Sequence, residues 1–140
     1  MKRLLISTFL GVLALGATAQ TQPDQSIRIQ GYTIELPEHR YPMFAGDFDV
    51  YKGWYDLSNG QTMRLSATGR RMFAEVGGGP RTQLVAASPN TFVALDRSLK
   101  MTLNRSDFDD VTGEMLKVVP SQTAQIGGSG QEVVKLMASR

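Results

Sequence analysis

The chain has 140 residues, 41% of them hydrophobic and 20% charged, with a formal charge of +2 and no cysteine. That length is enough to bury one core without staples, and the missing cysteine excludes disulfides, thiol nucleophiles and thiolate metal sites. The basic residues do not cluster, which argues against a nucleic-acid binder.

Lys2 and Arg3 precede an uncharged run from Leu4 to Leu15, and Gly16-Ala17-Thr18-Ala19 follows with small residues at the positions signal peptidase accepts. Residues 1–19 are therefore predicted to be a secretory leader cleaved before Gln20. A membrane span needs roughly 20 continuous apolar residues, and no other run is long enough, so no membrane span is expected after cleavage. Removing Lys2 and Arg3 leaves thirteen basic and thirteen acidic residues, so the apparent basicity belongs to the leader. The expected location is the periplasm or the medium.

Gln20 to Gln25 reads as a flexible segment, and residues 26–137 as one β domain. Ser26 to Leu36 alternates with a phase reset at Gly31, predicting a strand with a bulge or bend at the glycine. Glu38 to Met43, with Pro37 and Pro42, predicts a loop. Asp47 to Tyr51 suits one helical turn capped by Asp47, or an irregular entry. A meander over 51–119 follows: Gly53–Leu57, the hairpin signal Asn59-Gly60, then Thr62–Ser66, a turn at Thr68-Gly69, and Arg71–Val76. Gly77-Gly78-Gly79-Pro80 ends that strand. Thr82–Ala86, Thr91–Leu95 and Leu99–Leu103 come next, separated by Ser88-Pro89-Asn90 and Asp96-Arg97-Ser98. Arg105 to Asp110 is a polar reversal with Phe108 expected to tuck back, and Val111–Val119 carries Gly113 as a possible bend. Residues 120–130 read as a loop, and 131–137 as a last strand favoured by Val133-Val134. The fold class is all-β: a small antiparallel meander forming a curved sheet or a partly open, lipocalin-like barrel, with the first or last strand over one rim.

The stretch Tyr51-Lys52-Gly53-Trp54-Tyr55-Asp56-Leu57 resembles the Tyr-x-Gly-x-Tyr-x-Leu opening of a small module often appended to serine beta-lactamase-like hydrolases. Gly69-Arg70-Arg71-Met72-Phe73-Ala74 is similar to its Gly-x-x-Leu-Tyr-Ala segment. Leu84 to Phe92 is similar to its Leu-x-Pro-x-Ser-x-x-x-Phe segment, with Ala86 in place of the proline. The resemblance covers about residues 51–120 and extends to standalone secreted proteins of proteobacterial type. It implies a curved, lipocalin-like antiparallel sheet and carries over no catalytic residue. No serine here has a lysine three positions later, so that family's own nucleophile motif is missing as well.

His39 is the only histidine and lies in a proline-bounded loop, which gives neither a triad nor a zinc site. Asp107, Asp109, Asp110 and Glu114 lack calcium-loop spacing and read as a hairpin reversal. Glu35, Asp56, Glu75 and Glu114 form a catalytic pair only if the fold brings two of them together. The triple glycine lacks the lysine and helix of a phosphate loop. No catalytic residue, metal or cofactor is expected. The aromatic group Tyr41, Phe44, Tyr51, Trp54 and Tyr55 is the candidate surface for a ligand or partner, with Tyr51 and Tyr55 on one face and Trp54 on the other. The expected function is that of an exported, non-enzymatic β domain binding a protein partner or an apolar small molecule. The alternatives are an accessory or inhibitory subunit of a secreted hydrolase, and a carboxylate-based or metal-dependent hydrolase.

Overall fold

Asn59-Gly60 reverses the chain as its composition requires: Gly60 takes a positive φ of 80°, and the Asn59 side chain accepts the Gln61 N–H at 3.1 Å. The computed structural model describes residues 26–121 and 130–140. The leader expected over 1–19, the segment 20–25 and most of the loop expected over 120–130 lie outside the described residues. In chain order the elements are β1 (Ile27–Ile29), α1 (Ala45–Asp49), β2 (Gly53–Leu57), β3 (Thr62–Thr68) and β4 (Arg71–Val76), followed by β5 (Thr82–Ser88), β6 (Thr91–Ala94), β7 (Leu99–Arg105), β8 (Val111–Pro120) and β9 (Gln131–Ser139).

Each of β2 to β9 pairs antiparallel with its neighbour in sequence, and β9 then meets β2, so eight strands close into a barrel. The expected last strand is thus a wall strand rather than a cover. It pairs along its whole length with β8, from Pro120↔Gln131 to Thr112↔Ser139. Its other edge meets β2 only through Asp56↔Ser139 and Leu57↔Ala138. Further down that edge β1 takes over, from Ile27↔Lys135 to Ile29↔Val133. Closure removes the unpaired backbone that an open sheet would expose.

Side-chain alternation sends Met63, Leu65, Met101, Leu103, Met115 and Leu136 inward, where they are fully buried. One rim carries α1, whose Phe48 packs edge-on against Phe92 at 5.3 Å and closes that end. The helix begins two residues before the expected turn, because the Asp47 carboxylate reaches back to accept the Phe44 N–H at 3.0 Å. The opposite rim ends in charge: Glu132, 8% exposed, accepts from the Arg28 guanidinium at 2.9 Å. That pair ties β1 to β9 beyond its three register pairs.

The expected strand over 26–36 is corrected to β1 alone. Gly31 turns at a φ of 71°, and the chain then leaves the ladder as a strap across the outer wall. Ile34 is fully buried there against Val85 and Val93, with Leu36, Leu95, Leu116 and Val118 around it. The strap ends where the Tyr41 N–H donates to the Ala86 carbonyl at 2.8 Å. Ile34 therefore acts as core, and Ile34→Ala is expected to cost about 2–5 kcal/mol in urea unfolding, against little for exposed Ile27→Ala.

One further reading changes. Phe108 does not tuck back: it is 89% exposed at the tip of the β7–β8 reversal, and Val111 takes the buried place beside it. Gly113 lies within the unbroken β7–β8 register, opposite Leu103. A Cβ there would stand 2.1 Å from the Thr102 carbonyl oxygen, so only glycine lets the two backbones approach. Gly113→Ala should destabilise by about 1–3 kcal/mol or more, whereas Gly46→Ala, with nothing within 4 Å, should be neutral or slightly stabilising.

Candidate functional site

The aromatic group divides among three places. Tyr55 points into the barrel and is 1% exposed, so it is packing and not surface. Its hydroxyl donates to the Tyr51 carbonyl at 2.7 Å, and the Arg140 guanidinium stands 5.7 Å from its ring centre. Tyr51 follows the helix rather than joining β2, and packs edge-on against Phe92 at 5.4 Å. The strand face expected to hold both Tyr51 and Tyr55 is therefore not formed, because Tyr51 precedes β2.

Tyr41 comes to Tyr51 from the end of the strap. Together with Met43, Gly46, Asp47, Val50 and Pro89 they line a shallow pocket of about 400 Å³. Phe44, 73% exposed, stands at the start of α1 beside it. Trp54 belongs to neither group. It lies on the outer wall, 61% exposed, with the Arg64 guanidinium 5.5 Å from its ring centre. The structure thus joins Tyr41 and Tyr51, leaves Trp54 alone among the five on the outer wall, and removes Tyr55 from any surface.

Sequence reasoning missed what surrounds Trp54. On the outer faces of β2, β3 and β4, register sets Trp54 beside Arg64 and Arg64 beside Glu75. Ser66 pairs with Phe73, and Thr68 with Arg71. Arg81, from the β4–β5 connection, lies over the Phe73 ring at 3.8 Å and donates to Thr68 Oγ1 at 2.9 Å. Thr68, Arg71, Phe73 and Arg81 enclose a pocket of about 290 Å³. The signal lay in the turns: Trp54 and Arg64 are equidistant from Asn59, so a hairpin centred there places them side by side.

The candidates for chemistry stay apart. His39 is exposed on the strap. Asp56, Glu75 and Glu114 sit on the outer faces of β2, β4 and β8, with Glu114 paired to Lys135, while Glu35 is on the strap. Asp109 is held by Arg105, whose hydrogen bond and charge keep its carboxyl below the usual range. Among the described residues no three acidic or imidazole groups gather to hold a metal ion, and no buried side-chain polar atom lacks a partner. A further groove of about 610 Å³ runs between the strap at Gly31–Ile34 and the rim at Asp96–Ser98, with Val118 and Val133 as its apolar floor. Among those residues, too, no helix is long and apolar enough to cross a membrane.

Burial pushes the Tyr55 phenol up to about 12, against the opposing pull of Arg140 and with a small push from Tyr51. A raised folded-state value means that the proton is held more tightly in the native protein. The associated stability is complete below pH 10, the unfolded value, and is lost as pH climbs towards 12. Tyr55→Phe should remove a tyrosine titrating at about 12 from an absorbance titration and flatten the fall in stability across that window.

Compared with known proteins, the chain matches no family model, no curated protein and no solved structure.

Proposed function

We propose that this chain is an exported binding domain that engages a protein partner through side chains on the outside of its barrel. The observation that carries this reading is the contrast between a lumen filled by buried side chains and large apolar groups left on the exterior, Trp54 and Phe44 foremost. An eight-stranded barrel encloses either side chains or one small ligand, and side chains fill most of this lumen, leaving a pocket of about 180 Å³ at the rim opposite α1 among Ala74, Val76 and Leu99. Interface hot spots favour tryptophan, tyrosine and arginine, the residue types displayed at Trp54, Tyr41, Arg64 and Arg81. Export rests on the leader pattern at residues 1–19.

The accessory-subunit reading is a special case of the same proposal, supported by the resemblance to a hydrolase-appended module. The apolar small-molecule reading retains the groove beneath the strap as its place. A hydrolase would need carboxylates in one cleft, and Asp56, Glu75 and Glu114 stand on separate strands of the outer wall.

The test is retention of partners from the native extracytoplasmic extract on immobilised protein, with mass spectrometry for proteins and small molecules. A retained protein that is lost several-fold with Trp54→Ser or Phe44→Ser, at unchanged thermal stability, is the expected result. Retention of a small molecule alone, or of nothing by folded bait, would overturn the proposal.

A further inference from the structure

The outer face of β2, β3 and β4 carries Arg64, Arg71 and Arg81, with Arg70 in the turn, against the carboxylates of Asp56 and Glu75. Among the described residues none of these arginines is held in an ion pair, although Lys52, Arg28, Arg105 and Lys135 all are. Arg81 is instead fixed by Phe73 beneath it and by the hydroxyls of Ser66 and Thr68. A guanidinium ordered by an aromatic ring and hydroxyls, with no carboxylate of its own, keeps donors free for an incoming one. Arg71 faces the same pocket. Arg64 offers a second cation against the Trp54 ring.

The spacing between these two cationic places is set by the strand. Thr68, the register partner of Arg71, lies four residues from Arg64 on β3, which at strand rise is about 13 Å. An extended peptide repeats at the same rise, so carboxylates four positions apart would meet both. The residue midway would cross the Ser66–Phe73 row.

We propose that this face binds an extended acidic segment of the partner protein. One carboxylate sits between Arg71 and Arg81, and a second, four residues along, meets Arg64 beside Trp54. This rests on the protein-partner reading above and adds the chemistry of the partner. A peptide is favoured over an anionic polysaccharide because the two sites match strand rise, and because Phe73 between the charges and Trp54 beside Arg64 supply apolar surface.

Trp54 is the only tryptophan in the sequence, so its fluorescence reports from the site itself. The probe is a short extended peptide with two glutamates four positions apart, titrated against purified protein. Saturable change in Trp54 emission is expected, weakening as ionic strength rises. Replacing both glutamates by glutamine, or both arginines in Arg71→Gln/Arg81→Gln, should weaken binding by about tenfold or more, which corresponds to about 1.4 kcal/mol. Arg97→Gln, in the β6–β7 turn, should leave binding unchanged. Unaltered circular dichroism and thermal midpoint confirm that the double variant is folded, and the single variants Arg71→Gln and Arg81→Gln serve if it is not. Equal binding of the glutamate and glutamine peptides, no loss in the arginine variants, or preference for a sulfated oligosaccharide over the peptide would each overturn the inference. If a partner is retained equally by wild type and by the arginine variants, only this inference fails and the partner reading stands.

Discussion

An eight-stranded antiparallel barrel has an interior about as wide as its own side chains are long. Here that space is filled by methionine, leucine and aromatic groups converging from β2 to β9, with Phe48 delivered from α1 to stop one end. Only at the rim opposite α1 does a pocket of about 180 Å³ remain, among Ala74, Val76 and Leu99. Two register pairs between β2 and β9 suffice for closure, because the packed interior holds the walls together where the ladder is short. At the other rim, where β2 has left β9, β1 and the Arg28–Glu132 pair continue the wall. The carboxylate of Glu132 is tolerable there because it is met by a guanidinium at the edge of solvent rather than in the depth of the barrel.

A filled lumen also means that any surplus apolar surface must be covered from outside. Val85, Val93, Leu116 and Val118 face away from the core, and the strap lays Ile34 and Leu36 across them. The two hydrophobic layers share strands β5, β6 and β8, so the strap reinforces the part of the wall that is apolar on both faces. Among the described residues β2, β3 and β4 have no such cover, and their outer face carries arginines and aromatic rings instead. The described part of the barrel therefore has one side sealed by its own chain and another side bearing exposed side chains.

Charge is arranged in keeping with that asymmetry. The arginine-bearing strands β3 and β4 lie four strands around the barrel from the β7–β8 reversal, which carries Asp107, Asp109 and Asp110. Within that reversal Arg105 pairs with Asp109, whereas among the described residues Arg64, Arg71 and Arg81 stand in no ion pair. Phe108 stands exposed among the aspartates, while Trp54 and Phe73 accompany the arginines. Apolar and charged groups thus occur together on both sides.

Much of the fold was legible because alternation and turn chemistry act locally. Asn59-Gly60, Thr68-Gly69 and Ser88-Pro89-Asn90 end strands for reasons contained in those residues, and the strands between them alternate because one face meets a core. Leu84 to Ala87, Phe92 to Leu95 and Met115 to Val119 do not alternate, and that was the available sign of an outer cover. The strand expected through Ser26–Leu36 failed because the same alternation suits a strap lying on a hydrophobic wall. Of the candidate aromatics, the separation of Trp54 from Tyr55 followed from strand period alone. The company each keeps did not, since Tyr41 reaches Tyr51, and Arg81 reaches Phe73, through contacts between segments far apart or joined by a loop. By itself the sequence determined an antiparallel meander, its turns and the inward face of each strand, because these depend on φ preferences and a period of two. Only tertiary structure decided that the meander closes, how its lumen is filled and that Arg64, Arg71 and Arg81 share one outer face with Trp54, because each depends on register summed over many strands.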